Sequence, residues 1–287
     1  SNLTAYNLVM PELPEVEVTK QGIEPHIQGK KVTAVHIYDG RLRWPIPKNI
    51  GKILIGQKLH QIKRRGKYLL LRFDEGHLII HLGMTGVLRI MSASDELKKH
   101  DRVEIQFGKK FLRLHDPRKF GAVLWSSDED GEIDHHPLLL KLGVEPFSDD
   151  FNELNAGKHL YDHSRKRSVS IKQWLLSGQA VVGVGNIYCS ESLFDSGIHP
   201  EMAAGRLSSS RAEMLAASVR KILNKAIKAG GSSLKDFVNS DGEPGHFMLQ
   251  TKVYGRAGLP CVVCKAPIKQ IVQGQRSTYF CSKCQKK

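Results

Sequence analysis

The last 27 residues contain no aspartate or glutamate, although they hold Lys265, Lys269, Arg276, Lys283, Lys286 and Lys287. Residues 58–72 carry six cations and again no acid. No run approaches the length of an apolar membrane span, and the first residues lack the basic-then-apolar pattern of a secretory leader, so no membrane association is expected. Cysteine is scarce, with five in 287 residues. That odd number, without a disulfide framework, excludes a stapled secreted scaffold and points to a reducing, cytoplasmic setting. Internal repeats and low-complexity segments are absent as well.

What remains is a chain of 40% apolar residues, enough for a folded protein and long enough for two domains with separate cores. Lysine and arginine number 43 against 29 acids, a net charge of +14. Such an excess often does no more than keep a surface solvated. Here it is clustered, with Arg165-Lys166-Arg167 as a third group, and three clusters far apart in sequence can form one face for a polyanion. A nucleic-acid partner is expected.

The cysteines sharpen this. Cys261-x2-Cys264 and Cys281-x2-Cys284 are separated by sixteen residues. Each pair turns tightly enough for two sulfurs to reach one metal, and a hairpin between the pairs closes a tetrahedron. One zinc ion is expected, and a structural one, because four thiolates leave no position for water. The alternative is a pair of disulfides.

Pro14 and a sparse apolar set, Val16, Val18 and Ile23, predict a short helix over residues 12–24. From about residue 31 to 125 short runs rich in Val, Ile and Leu (VTAVHIY, YLLLRF, HLIIHL, VLRI, VEIQF, FLRLH, AVLW) predict a β-sandwich or barrel. Residues 126–150 are acidic and Pro/Gly-bearing and read as a connection. Helical texture follows, ending in a long helix with N-cap candidates Ser208, Ser209 and Ser210, an apolar face of Leu215, Val219, Ile222, Leu223 and Ile227, and a stop at Gly230-Gly231. Residues 231–260 read as an extended loop, and strands 268–272 and 277–280 as the metal hairpin.

Several stretches together resemble the formamidopyrimidine-DNA glycosylase family: MPELPEVE (10–17), RLRWP (41–45), RRGKYLLL (64–71), HLGMTGVLRI (81–90), HDPRKFGA (115–122), VVGVGNIYCSESLF (181–194), SLKDFVNSDGEPGHF (233–247), VYGRAGLPC (253–261) and the cysteine pairs. The resemblance implies an α+β fold. It has an N-terminal β-sandwich domain with flanking helices at 10–140, a helix-two-turn-helix domain at 150–240 and a four-cysteine zinc-finger hairpin at 252–286, after an extension at 1–9. It implies a monomeric bacterial enzyme, cytoplasmic and at the nucleoid, that excises oxidised purines from double-stranded DNA and cleaves abasic sites. Pro11 would be the nucleophile through its secondary amine, Glu12 the acid that opens the deoxyribose, Lys67 the β-elimination acid and Arg276 the δ-elimination residue. Met84, Arg118 and Phe120 would fill the gap left by the extruded nucleotide, and His100, Arg118, Arg167 and Asn186 would grip the backbone.

Six of these residues also have a plainer reading. Pro11 and Glu12 suit any helix start, Lys67 any solvated charged run, Arg276 a phosphate contact at a hairpin turn, and Met84 and Phe120 any core. Residues 1–9 depart from the pattern, because while they are attached the Pro11 nitrogen is an amide and no nucleophile. A catalytically silent DNA-binding protein is then the expectation. The sister enzyme for oxidised pyrimidines, endonuclease VIII, is a second alternative. The PELPEVE start and the loop at 232–247 resemble the purine enzyme, with His246 where an aromatic is common in the family. A zinc deaminase would need His199-Pro200-Glu201 paired with Pro260-Cys261, and would leave the second cysteine pair idle.

Overall fold

The computed structural model describes residues 11–231 and 250–287; the extension at 1–9 and most of the 231–260 loop, with His246, lie outside them. The chain divides into two compact units; among the described residues one comprises 11–140 and 229–231, the other 141–228 and 250–287.

The first unit opens with α1 (Leu13–Ile27), which places Pro14 in its first turn, where a missing N–H costs nothing. Eight strands follow: β1 (Ala34–Ile37), β2 (Gln61–Arg65), β3 (Tyr68–Arg72), β4 (Gly76–His81), β5 (Val87–Met91), β6 (Asp101–Phe107), β7 (Lys110–His115) and β8 (Ala122–Ser127). They form two antiparallel four-stranded sheets, ordered β1-β6-β7-β5 and β2-β3-β4-β8. One apolar cluster draws on both sheets. Leu69, Leu71, Leu78, Ile80 and Val123 meet Leu88, Ile90, Val103, Ile105, Leu112 and Leu114, and the rings of Phe73 and Phe107 stack at 6.5 Å. That is the expected sandwich, with α1 contributing Val16, Ile23 and Ile27 to the same core.

Two elements are not legible in the apolar runs. A short helix α2 (Ile50–Leu54) follows β1, burying Ile50 and Leu54. Strand β2 reads in the sequence only as a basic stretch, since Ile62 is its one buried residue. Its strand character comes from pairing with β3, a non-local effect that overrides weak local pattern.

The second unit is helical: α3 (Ala156–Ser164), α4 (Ile171–Leu176), α5 (Asn186–Asp195) and α6 (Ser209–Gly231). Ser208 is the cap that α6 uses, its hydroxyl accepting from the Arg211 N–H at 3.2 Å. Leu215, Val219 and Leu223 are buried as predicted, and Ile222 packs at the edge of the same cluster. The hairpin of β9 (Lys269–Gln273) and β10 (Arg276–Phe280) completes the unit, turning at Gly274-Gln275, both with positive φ.

Candidate active site and nucleic-acid interface

Register gathers one set of candidate residues at one end of the sandwich. Tyr68, the first residue of β3, pairs with His81, the last of β4, which pairs with Ala122, the first of β8. In the other sheet His115, the last residue of β7, pairs with Asp101 at the start of β6 and Val87 at the start of β5. Lys67, Met84, His100, Arg118 and Phe120 occupy the turns that lead into or out of these strand ends.

Glu12 is the N-cap of α1 and only 3% exposed. Its backbone N–H donates to the Glu15 carboxylate at 2.9 Å, half of a capping box. The helix-start reading of Pro11-Glu12 is therefore correct as structure, and it leaves the chemical reading intact. The cap fixes the backbone immediately beside the Pro11 nitrogen. Farther along α1, Glu17 accepts from Arg64 Nε at 3.0 Å, tying the helix to β2.

Lys67 sits in the β2–β3 turn behind Gly66, which takes a positive φ of 59°. Its charge is felt by His81. Burial first, then the cations of Lys67 and Arg43, hold that imidazole down to about 4. His81 is accordingly neutral, with Nδ1 accepting the Gly83 N–H at 3.0 Å. Phe120 is 46% exposed, far from a core residue, and the Arg118 guanidinium lies over its ring at 5.2 Å. His100 rests beside Arg102, Nδ1 to Nη2 at 3.3 Å, and desolvation with the surrounding cations lowers its pKa.

Three residues the sequence did not single out hold this end together. Asp116 is fully buried, and its carboxylate receives the Thr85 hydroxyl and the backbone N–H groups of Lys119 and Gly121. Behind it Arg102 donates to the carbonyls of Asp116 (2.9 Å) and Pro117 (3.3 Å) and to Asp39 (3.1 Å). Asp39 also receives Arg41 and Lys119, each at 2.9 Å, and these cations hold its carboxyl far below the usual range. An aspartate preceding Pro-Arg in a polar run was the available signal, but nothing local says what it touches.

In the second unit Asn186 opens α5 after the Gly183–Gly185 turn, with Gly183 at a positive φ of 88°. Its amide donates to the Ser277 carbonyl on β10 at 3.0 Å. The hairpin is pinned again where Gln273 donates to Ser170 (3.2 Å) and to the Pro200 carbonyl (3.3 Å). Arg276, the first residue of β10, stands close enough to buried Lys172 that its charge adds to the burial that lowers that ammonium's pKa. Glu191 on α5 was also missed. Its buried carboxylate accepts the N–H groups of Lys252, Val253 (3.0 Å) and Tyr254 (3.4 Å), and burial raises its pKa against their pull.

The basic triplet divides. Arg165 is spent on the fold, lying 3.9 Å from the Tyr161 ring centre and donating to the Tyr161 and Leu207 carbonyls. Lys166 and Arg167 are exposed.

The four cysteine sulfurs lie within 4.8 Å of one another. Cys261 and Cys284 are 3.8 Å apart and Cys264 and Cys281 3.4 Å. A tetrahedral zinc with Zn–S bonds of about 2.3 Å spaces its sulfurs about 3.8 Å apart, whereas a disulfide needs about 2.05 Å. The donor set fits one structural zinc, and no disulfide joins the cysteines.

Comparison with known proteins agrees with this geometry. The N-terminal domain of formamidopyrimidine-DNA glycosylase matches residues 10–123, its H2TH domain residues 142–238, and the zinc finger found in FPG and IleRS residues 258–287. The formamidopyrimidine-DNA glycosylase of Polynucleobacter necessarius is 67% identical over 97% of this chain and 100% of its own length. That of Paraburkholderia phytofirmans is 55% identical over 96% and 100%. Among solved structures, Lactococcus lactis Fpg bound to DNA containing N7-benzyl-Fapy-dG has a TM-score of 0.83 and 36% identity, covering 96% of this chain and 100% of that one. MutM in complex with DNA containing carbocyclic 8-oxo-G has a TM-score of 0.82, also at 36% identity over 96% and 100%. Three domains in family order and relatives matched over their full length lead to one conclusion: the chain belongs to the formamidopyrimidine-DNA glycosylase family.

Proposed function

We propose that the protein is a bifunctional DNA glycosylase and abasic-site lyase of base excision repair, excising oxidised purines such as 8-oxoguanine and formamidopyrimidines from duplex DNA in the bacterial cytoplasm, at the nucleoid. The observation that carries the reading is the likeness, over 96% of the chain, to an Fpg that holds a formamidopyrimidine lesion in DNA.

The active form begins at Pro11, whose secondary amine is nucleophilic once it is free of the peptide bond and has lost its proton. The amine attacks the sugar C1′. The bond to the base breaks with its electron pair leaving on the base, which takes up a proton. Glu12, buried against the start of α1, supplies a proton to the ring oxygen as the deoxyribose opens to an iminium. The iminium acidifies C2′–H, and loss of that proton expels the 3′ phosphate with Lys67 as acid. A second elimination, served by Arg276, expels the 5′ phosphate.

Met84, Arg118 and Phe120 fill the space of the extruded nucleotide, and an exposed aromatic beside an arginine suits that work. His100, Arg167 and Asn186 hold phosphates. Zinc, held by Cys261, Cys264, Cys281 and Cys284, keeps the β9–β10 hairpin folded and takes no part in the chemistry.

Borohydride trapping on a duplex with 8-oxoguanine opposite cytosine tests the reading, with one preparation starting at Pro11 and another at Ser1. A covalent adduct is expected only with Pro11 free. Adducts from both preparations would assign the chemistry to a different amine, and adducts from neither would leave a DNA-binding protein without lyase activity.

A further inference from the structure

We propose that Thr85 and Asp116 are positioning residues that join Met84 to Arg118 and Phe120, so that the three side chains act on the duplex as one rigid wedge. The proposal rests on the reading of those three as the residues that replace the extruded nucleotide.

Met84 belongs to the turn between β4 and β5, Arg118 and Phe120 to the turn between β7 and β8. One hydroxyl bridges the two turns. Thr85 Oγ1 donates to Asp116 Oδ1 at 2.7 Å and accepts the Arg118 backbone N–H at 3.1 Å. A hydroxyl alone among small side chains both gives and accepts in this way. Thr85 is the residue after Met84, and Asp116 lies two before Arg118, so the bridge sits at the root of all three wedge side chains.

The Asp116 carboxylate then shapes the second turn from inside, receiving Lys119 N–H at 3.2 Å and Gly121 N–H at 2.9 Å. Between those donors Lys119 takes a left-handed φ of 61°, a conformation an L residue keeps only when its surroundings impose it. The backbones of the two turns also touch. A Cβ on Gly83 would stand 2.5 Å from the Phe120 carbonyl carbon, and one on Gly121 would stand 2.8 Å from both the His81 oxygen and Asp116 Oδ2. Arg102 holds the far side through the Asp116 and Pro117 carbonyls. Met84 cannot shift against Arg118 and Phe120 without breaking the Thr85 bridge or uncovering a buried carboxylate, and the second is costly.

A purely structural role would lower stability and scale every activity alike. A joined wedge predicts something different: its members should fail together. Single-turnover excision of 8-oxoguanine is measured for Met84→Ala, Phe120→Ala and the double variant, in the chain that begins at Pro11, and again in Thr85→Val and Thr85→Ser backgrounds. Each single change should slow excision about tenfold, and the double should be no more than about twofold slower than the worse single. With Thr85→Val the two losses should multiply to about a hundredfold, and Thr85→Ser, which keeps the hydroxyl, should restore the shared loss.

Losses that multiply in the native background would overturn the proposal while leaving the wedge itself standing. Sharing that survives unchanged in Thr85→Val would also overturn it, because the joint would then run elsewhere. Single variants that excise at the native rate would sink the wedge reading and this inference together. Should Thr85→Val fail to fold, the native cycle and the Thr85→Ser background still decide between shared and multiplied losses.

Discussion

His81 shows how one side chain converts environment into a measurable slope. Its Nδ1 accepts the Gly83 N–H, the turn residue just before Met84, and can do so only while that nitrogen is unprotonated. The folded imidazole titrates at about 4, pushed there by burial and then by Lys67 and Arg43, against an ordinary value of 6.5. Between those two values the unfolded chain binds a proton that the folded one refuses. Stability therefore falls as pH drops from about 6.5 toward 4, by on the order of 3 kcal/mol from this residue when complete. Melting temperatures from pH 7.5 to 4.5 should fall more steeply in the native protein than in His81→Gln, whose amide oxygen can accept the same N–H without titrating. Equal slopes would mean that His81 is not held neutral. None of this is visible in HLGMTG, where a histidine between apolar residues reads equally well as a strand-end ligand or a core residue.

At the scale of elements, the β9–β10 hairpin has little of its own to stand on. Among the described residues its five-residue strands pair only with each other, and such a pair is marginal in water. Its support comes from the thiolate cluster, the small core of Val253, Ile268 and Tyr279 around it, and the bonds that tie Ser277 and Gln273 to the helical part of the unit. Structural zinc contributes on the order of 10 kcal/mol in such modules, so chelation should unfold the hairpin and abolish DNA binding while leaving the sandwich intact. Hydrogen exchange read alongside a gel shift would check this: rapid exchange confined to the zinc segment is expected together with lost binding. A chelated protein that binds DNA normally would refute it. The hairpin was legible because cysteine spacing is a local code. The α6 cap and buried face were legible for the same reason, through periodicity. Strand β2 and the Thr85–Asp116 bridge were not, since each depends on partners that lie elsewhere in the sequence and that only folding brings together.

For the molecule as a whole, the net charge of +14 overstates what is available to a polyanion. Arg64, Arg72, Arg102 and Arg113 are committed to Glu17, Asp128, Asp39 and Glu104. Arg165 is committed to carbonyls, its neighbour Arg167 is exposed, and composition alone cannot separate the two. Substitution should. Arg165→Ala is expected to cost about 1–3 kcal/mol of stability, because buried carbonyls lose a charged donor. Arg167→Ala should leave the melting temperature unchanged, weaken DNA binding irrespective of sequence and reduce the slope of log affinity against log salt by about one. Titrations of both variants at several salt concentrations, with parallel melts, would distinguish these roles. The reverse pattern would show that Arg165 is the phosphate residue.

The contact between the Asn186 amide and the Ser277 carbonyl also sets an obligation between two ligands that never meet. Asn186 is a proposed phosphate residue, and Ser277 lies on the strand that leads into Cys281. If zinc raises the affinity for DNA by holding that strand in place, DNA must raise the affinity for zinc by the same factor, because binding free energies are reciprocal. Bound DNA is then a guardian of the metal, and zinc is held more tightly while the protein is engaged on a duplex.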